Sequence, residues 1–215
     1  MTRVLVTAFQ PFGGETVNSS QQAVQLLAQY PQAPGVELTT AVLPVEFARA
    51  AALLQQTIEA CKPALVICIG EASGRAAVTV ERFAINLDDA AIPDNAGYQP
   101  IDEPVVAGGP VAYASTLPVS AVVAALLAAG IPAAKSSTAG TYVCNHVFYA
   151  LMHFIATREP RLRGGFIHVP YVHEQVLGRS DALPSLSLAS ITEALRLTVE
   201  VSAREGCPAV PAGVA

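Results

Sequence analysis

The sequence predicts an α/β protein, a three-layer α/β/α sandwich around a mostly parallel but mixed sheet. Short segments rich in Val, Ile and Leu alternate with longer segments of helical periodicity, which is typical of strands joined by crossover helices. The run LVICI at residues 65–69 lacks polar alternation, as expected where helices cover both faces of a parallel sheet. The length of 215 residues is compatible with a single domain over residues 1–215.

The N-terminal part of the chain supplies strands and helices in the order β-α-β-α-β. Residues 3–8, 36–43 and 64–69 are short and rich in branched apolar side chains, so they are predicted as strands. Residues 19–30 and 46–60 have the length and apolar spacing of helices. This alternation predicts that the strands belong to one sheet with helices between them.

The middle of the chain departs from this alternation. Residues 76–84 (AAVTVERFA) are rich in β-formers and follow the third strand without a helix, which predicts a hairpin-like addition to the sheet. Residues 88–110 contain four prolines and three glycines, so they are predicted as a long loop that acts as a lid or an interface.

The C-terminal part returns to alternating elements. Residues 117–134 are strongly apolar but are interrupted by prolines and a glycine, which favours a buried helix over 118–129 followed by a strand rather than a membrane span. Helices are predicted at 145–157 and 186–205, with a strand at 165–169 between them. Residues 208–215 are predicted as a flexible tail.

The composition restricts the classes of partner. Charged residues are 13% of the chain, against about 25% in average proteins, which predicts that apolar surface is hidden in a homo-oligomer. A net charge of -5 without a basic cluster argues against nucleic acid as a partner. No signal peptide, CxxC pair or zinc-ligand spacing is present, which predicts a cytoplasmic protein with separate thiols and no metal site.

One cysteine lies at a predicted strand-to-helix junction. In SSTAGTYVCNHVFYALMH, strand-like residues and a glycine lead directly into an apolar helical pattern, which puts Cys144 at the helix N-terminus. Unpaired backbone N–H groups and the helix dipole favour a thiolate there, and the same groups can stabilise an oxyanion. The alternative is that Cys144 is a small buried hydrophobe, which is the interpretation given to Cys61, Cys68 and Cys207.

A nucleophilic thiol requires a base, and one of the four histidines has a suitable position. His168 ends the strand GFIHVP, and catalytic groups in open α/β sheets gather beyond the carboxyl ends of strands. His146 lies two residues from Cys144 and faces away on the helix, while His153 lies more than two turns away. His168 is therefore the candidate base, with a satisfied core histidine as the alternative.

A carboxylate that orients the histidine would complete the set. Glu81 lies in the otherwise apolar strand VTVERFAIN, where a charge is costly to bury without a partner. The alternative is surface alternation of Glu81 and Arg82 on an edge strand, and Asp88, Asp89 and Asp94 are rival acids. Phe9 and Phe12 flank the turn after the first strand, where they either form walls of an apolar pocket or belong to the core.

Four ordered segments together resemble the pyroglutamyl peptidase type I family of cysteine peptidases. They are VLVTAFQPFGGETVN, GEASGRAAVTVERFAINLDDAAIPDNAG, SSTAGTYVCNHVFY and GFIHVPYVHEQ, and they span most of residues 3–178. The resemblance implies hydrolytic removal of N-terminal pyroglutamyl residues from peptides, with Cys144 as nucleophile, His168 as base and Glu81 orienting the histidine. It also implies an α/β/α fold, a cytosolic homotetramer and no metal or organic cofactor.

The resemblance further implies an apolar pocket for the lactam ring. The matching positions are Phe9, Phe12, Ile92, Tyr142 and Val143, with Asn18 and Glu71 as further substrate-binding candidates. The chain departs from the family pattern at three positions, because Glu71 replaces a common Gln, Ala91 an Arg, and Ser19 a Pro.

Two other functions remain as alternatives to the peptidase. One is a catalytically weakened or silent family member, in which Glu71 and Ala91 impair the catalytic site and the protein acts as a binding protein. In a nucleoside phosphorylase-like protein, the Gly13–Gly14 turn would hold phosphate and Cys144 would be structural.

Overall fold

The computed structural model describes residues 1–204, so the predicted tail and Cys207 lie outside the described residues. The strands are β1 Thr2–Phe9, β2 Val36–Leu43, β3 Leu65–Glu71, β4 Val78–Glu81, β5 Phe83–Ile85, β6 Ala112–Ala114, β7 Ala133–Ser136, β8 Arg163–Val169, β9 Tyr171–Val172 and β10 Ser185–Leu186. The helices are α1 Ser19–Leu27, α2 Phe47–Cys61, α3 Val119–Ala128, α4 Val143–Thr157, α5 His173–Val176 and α6 Leu188–Arg204.

The central sheet has six strands in the order β2-β1-β3-β8-β4-β7. The pairs along β2, β1, β3 and β8 are parallel, whereas β4 runs antiparallel to β8 and parallel to β7. The sheet is therefore mostly parallel but mixed, which confirms the predicted fold class.

The predicted hairpin-like addition over residues 76–84 is wrong in its pairing. β8 lies between β3 and β4, so β4 is not the sheet neighbour of the strand that precedes it. The segment also breaks at Arg82, after which β5 pairs with β6 in a separate two-stranded sheet. The break follows from burial, because Glu81 is enclosed beneath the sheet surface while Arg82 turns its side chain to solvent.

Helices cover both faces of the sheet and complete three layers. Side chains of β1 alternate between the faces: Val4, Val6 and Ala8 pack with α1, α3 and α6, while Leu5 and Phe9 pack with α2 and α4. Each large apolar side chain that is fully buried contributes about 1.5–3 kcal/mol. These two clusters hold the sheet rigid between the helices. Over residues 1–204, no helix is both long and apolar enough to cross a bilayer.

The long segment between β5 and β6 is fixed to the start of α4 by one buried amide. Asn145 donates through Nδ2 to the carbonyl oxygens of Ile85 and Leu87, both at 2.9 Å, and its Oδ1 accepts from the Ile85 N–H at 3.0 Å. A side chain thus supplies three hydrogen bonds that a neighbouring strand would otherwise provide. The first turn of α4 is held firmly in place as a result.

Candidate active site

Cys144 is the second residue of α4, which begins directly after an extended residue, Tyr142. The first N–H groups of a helix have no carbonyl partner within the helix, so those around Cys144 are available to an anion. The thiol is only partly exposed and packs against the cluster formed by α2, α4 and the sheet.

A glycine on β3 lets the thiol approach the sheet closely. A Cβ atom at Gly70 would lie 2.9 Å from Cys144 Sγ and 2.8 Å from Phe166 Cζ, closer than such contacts normally come. Gly70 is also the register partner of His168 on β8, and paired residues of neighbouring strands point to the same face. The missing side chain therefore leaves the sulfur beside the strand position that carries the imidazole.

His168 and Glu81 form a buried pair across two neighbouring strands. His168 Nδ1 lies 2.8 Å from Glu81 Oε1, and both side chains are almost completely enclosed. Because a carboxylate only accepts hydrogen bonds, Nδ1 is the donor and Nε2 is left unprotonated in the neutral ring. β4 lies inside the sheet, between β8 and β7, so the alternative of Glu81 on an exposed edge strand is wrong.

Arg75 is a member of this cluster that the sequence patterns did not single out. Its Nη1 donates to the same Glu81 oxygen at 2.6 Å and also to Thr79 Oγ1. Its Nη2 donates to the carbonyl oxygen of Thr138 at 3.1 Å. Arg75 lies in an irregular turn between β3 and β4, where no periodic pattern indicates which way a side chain points.

Burial and charge set the protonation states of the cluster. Burial opposes ionisation of Glu81, but its interactions with His168, Ser136 and Arg75 outweigh this and lower the pKa of the carboxyl. Burial also lowers the pKa of His168, despite the favourable contact with Glu81. Burial raises the pKa of the Cys144 thiol to about 12, and the Glu81 charge acts in the same direction. Without substrate, Cys144 is therefore a neutral thiol and His168 a neutral imidazole at neutral pH.

The rival acids have other partners. Asp88 Oδ2 contacts His146 Nδ1 at 2.7 Å, which joins the long loop to α4. Asp94 accepts hydrogen bonds from the backbone N–H groups of Phe47, Ala96 and Tyr98. Asp89 is exposed. None of these three carboxylates bonds to His168 in the part of the chain that the structure describes.

A small, mainly apolar pocket opens beside the thiol. It is lined by Phe9, Phe12, Asn18, Val45, Glu71, Tyr142, Val143 and Cys144. Val45 was not predicted, although it ends an apolar run after β2. Ile92 was predicted but is absent from this lining: its Cδ1 atom packs near Gly13, and 43% of the residue is exposed.

Asn18 and Glu71 in the pocket lining are held by hydrogen bonds. Asn18 caps α1 by accepting from the Ser20 N–H at 2.9 Å, and it donates to the Gln10 carbonyl oxygen at 3.1 Å. Glu71 Oε2 accepts from the Ser19 N–H at 2.6 Å and from Gln175 Nε2 at 2.9 Å. Burial raises the pKa of Glu71. Gln175 is another neighbour that the sequence patterns did not indicate.

A larger cavity lies elsewhere in the described residues. It has a volume of about 700 Å³ and lies at the amino ends of β1 and β3, among residues that include Arg3, Lys62 and Arg161. The proposed chemistry gathers at the opposite ends of these strands. Within residues 1–204, no group of three or more His, Cys, Asp or Glu side chains is arranged so that it could hold a metal ion.

Comparisons with known proteins identify relatives of this chain. The family model described as pyroglutamyl peptidase matches residues 2–205. The pyrrolidone-carboxylate peptidase of Streptomyces coelicolor is 56% identical over 204 residues, covering 95% of this chain and 93% of that protein. The corresponding protein of Erwinia tasmaniensis is 52% identical over 202 residues, covering 94% and 93%.

Solved structures give the same relationship in three dimensions. Pyroglutamyl peptidase I from Bacillus amyloliquefaciens superposes with a TM-score of 0.91 at 46% identity, covering 95% of this chain and 98% of that one. Pyrrolidone carboxyl peptidase from Thermococcus litoralis gives a TM-score of 0.90 at 41% identity, with coverages of 94% and 93%. The chain therefore belongs to the pyroglutamyl peptidase family.

Proposed function

We propose that this chain removes N-terminal pyroglutamyl residues from peptides, with Cys144 as nucleophile, His168 as general base and Glu81 as the group that orients His168. The observation that carries the proposal is the buried Glu81–His168 pair, 2.8 Å between Oε1 and Nδ1, beside a thiol at the start of a helix. Membership of the pyroglutamyl peptidase family supports the substrate class.

The proposed reaction is acyl transfer in two steps. His168 Nε2 takes the thiol proton as Cys144 Sγ attacks the pyroglutamyl carbonyl carbon, and N–H groups at the start of α4 stabilise the oxyanion. The imidazolium then gives this proton to the leaving amine as the C–N bond breaks. The pyroglutamyl group remains bound to Cys144 as a thioester. Water, deprotonated by His168, attacks the thioester, and its proton goes to the departing thiolate. Pyroglutamate and the shortened peptide are the products.

The pocket lining supports a pyroglutamyl substrate. A pyroglutamyl ring is compact and uncharged, so apolar walls such as Phe9, Phe12 and Val143 accept it without the large penalty of desolvating a charge. The side-chain carboxylate of a free glutamate would lose its hydration there without gaining an ion pair. Glu71 and Asn18 are the polar side chains at which the lactam can be oriented.

A chromogenic pyroglutamyl amide tests the nucleophile and the substrate class together. We expect Cys144→Ala, or alkylation of Cys144 by iodoacetamide, to abolish release of the amine. Cys61→Ala is the matched control, since Cys61 ends α2 away from the pocket and its loss should leave turnover near that of the parent. Undiminished turnover in Cys144→Ala would refute the assignment. Binding of pyroglutamyl peptides without turnover by the parent protein would instead favour a silent binding protein.

We also propose that the protein acts as a homotetramer in the cytoplasm, without nucleic acid or membranes as partners. The low charged fraction of 13% supports burial of surface between subunits, as do exposed apolar side chains such as Ile101 (71%) and Val111 (85%). Sedimentation equilibrium at micromolar concentration should give a mass of about four chains. A strict monomer would contradict the assembly, and enrichment of the protein in a membrane or secreted fraction would contradict the location.

A further inference from the structure

We propose that Arg75 is a positioning residue for the reaction: it fixes the Glu81 carboxylate and supplies the positive charge beside it, so that Glu81 holds His168 ready to accept the thiol proton. The inference rests on the proposed function. Arg75 itself need not touch the substrate, because its contacts are with the acid that orients the base.

The carboxylate is held through one oxygen. Glu81 Oε1 accepts from Arg75 Nη1 at 2.6 Å and from His168 Nδ1 at 2.8 Å. The second oxygen, Oε2, is buried and has no hydrogen-bond partner among the described residues. Ser136 lies opposite Glu81 on β7, but its hydroxyl donates to the Thr138 carbonyl oxygen at 3.0 Å. The guanidinium and the imidazole are therefore the two groups that hold Oε1 in place, while the neighbouring Ser136 also lowers the pKa of the carboxyl.

The guanidinium is itself well anchored. Besides Glu81, it donates to Thr79 Oγ1 on β4 and to the Thr138 carbonyl oxygen in the loop that leads towards α4. Only 26% of the Arg75 side chain is exposed. A planar guanidinium with several fixed donors keeps its orientation better than an ammonium group, so Arg75 can hold Glu81 at a constant angle to the ring.

The charge of Arg75 compensates for burial of an anion. A buried carboxylate whose only partner is a neutral imidazole would favour the protonated form, since burial raises the pKa of acids. The guanidinium shifts this balance towards the carboxylate, and it also lowers the pKa values of His168 and Cys144. Arg75 thus adds to the effect of burial in keeping His168 unprotonated, and it makes the Cys144 thiol easier to ionise.

The other ionisable groups around the pair do not duplicate this charge. β3 contributes Cys68 and Glu71, and α4 contributes Cys144. Lys135 on β7 pairs with Val80, one residue from Glu81, and so points to the opposite face of the sheet. α3, which packs over β4 on that other face, has no ionisable side chain. Within the described part of the chain, Arg75 is the cation that the pair contacts.

Arg75→Met and Arg75→Lys separate this role from a structural one. For Arg75→Met we expect kcat to fall about 10- to 100-fold with little change in KM, as for loss of a charged hydrogen bond. In the plot of kcat/KM against pH, the acid limb should shift to higher pH by about one unit, because both His168 and Glu81 would hold their protons to higher pH. Arg75→Lys should keep the limb near its original position and recover part of kcat.

The matched control is Arg82→Met, which removes the same charge from the residue after Glu81. The Arg82 side chain is exposed and lies over the Phe83 ring, so its loss should leave the pH profile unchanged. Unchanged melting temperatures, or correction for the folded fraction, keep the comparison valid. A uniform loss of rate in Arg75→Met without movement of the acid limb would overturn the inference. It would mean that Arg75 only links β4 to the loop before α4.

A second readout does not depend on turnover. Iodoacetamide should modify Cys144 more slowly in Arg75→Met than in the parent at neutral pH, with the modified cysteine identified by peptide mass spectrometry. Equal modification rates would overturn the inference. Failure of the parent to cleave pyroglutamyl amides would refute the proposed function, but the modification rates would still report whether Arg75 acts on the Cys144–His168–Glu81 cluster.

Discussion

The Cys144 thiol is subject to two opposing influences. The helix N-terminus favours a thiolate, whereas burial and the Glu81 charge raise the pKa of the thiol to about 12. Burial is the larger effect in the ligand-free site, so the helix N-terminus alone does not produce the expected thiolate. The proton must pass to His168 as the sulfur attacks, which makes the rate sensitive to the position of the sulfur.

Gly70→Ala tests that sensitivity. The added methyl group would lie 2.9 Å from Cys144 Sγ and 2.8 Å from Phe166 Cζ, so at least one of them has to move. We expect the free energy of unfolding to fall by about 1–3 kcal/mol, as in other overpacked cores, and kcat/KM of the folded protein to fall by about 100-fold or more, as for a reacting group displaced by 1 Å. Denaturant unfolding and hydrolysis of a pyroglutamyl amide measure the two effects.

Gly164→Ala is the control for overpacking alone. A methyl group there would meet Leu151 Cδ2 at 3.0 Å and the Val66 carbonyl oxygen at 3.1 Å, at the start of β8 and away from the thiol. It should lower stability to a similar degree while kcat/KM of the folded fraction is kept. If Gly70→Ala retained full kcat/KM, the close approach of the thiol to β3 would have no catalytic importance.

Single residues were predictable from the sequence where a pattern surrounds them. Cys144 begins an apolar helical pattern and His168 ends an apolar strand, so local signals located both. Glu81 was noticeable as an acid among apolar neighbours. Arg75 and Gln175 have no such context, because Arg75 reaches the site from an irregular turn and Gln175 from the four-residue helix α5. Side-chain contacts between distant segments are not encoded in local periodicity.

At the level of elements, periodicity predicted the strands and helices of the regular α/β part. α2 and α4 begin within about two residues of their predicted positions, as is usual for helix ends. The pairing of β4 was not predictable in the same way. Its partners β8 and β7 follow it by more than 50 residues, and the register of a strand is set by burial and by those partners.

The antiparallel direction of β4 has a consequence for the site. Thr79 pairs with His168, and Glu81, two residues later, lies on the same face of β4 as Thr79. The Glu81 carboxylate therefore reaches the imidazole from the neighbouring strand rather than from a loop. A catalytic pair on two rigid strands keeps its geometry better than a pair on loops. The placement of β4 beside β8, with Glu81 on the face of the sheet that carries His168, is thus what brings the acid to the base.

For the whole molecule, apolar strand runs without alternation correctly predicted helices on both sides of the sheet. The two core clusters occupy the two faces, and the functional groups gather beyond the carboxyl ends of β1, β3 and β8. The strand order was not predictable, since it is decided by which faces and edges pack together and not by the order of elements along the chain.

The buried ionisable groups link the stability of the whole molecule to pH. The pKa of His168 is lowered, so the unfolded state gains its proton more readily below the ordinary value of 6.5, and stability is lost as pH falls. The lowered pKa of Glu81 adds a further loss below its ordinary value of 4.5. Glu71 acts in the opposite sense, because its pKa is raised. The stabilising contribution of Glu71 is complete below pH 4.5 and is lost as pH rises through its folded-state pKa.

Glu71→Gln should therefore stabilise the protein at neutral and alkaline pH. The amide oxygen can still accept from the Ser19 N–H and Gln175 Nε2, but no buried charge forms. Thermal unfolding should show a melting temperature above that of the parent at pH 8 and little difference near pH 4, where about 2–4 °C corresponds to 1 kcal/mol in a chain of this size. Glu37→Gln, an exposed carboxylate on β2, should change neither curve appreciably. An equal gain at both pH values would mean that packing, and not the buried charge of Glu71, limits stability.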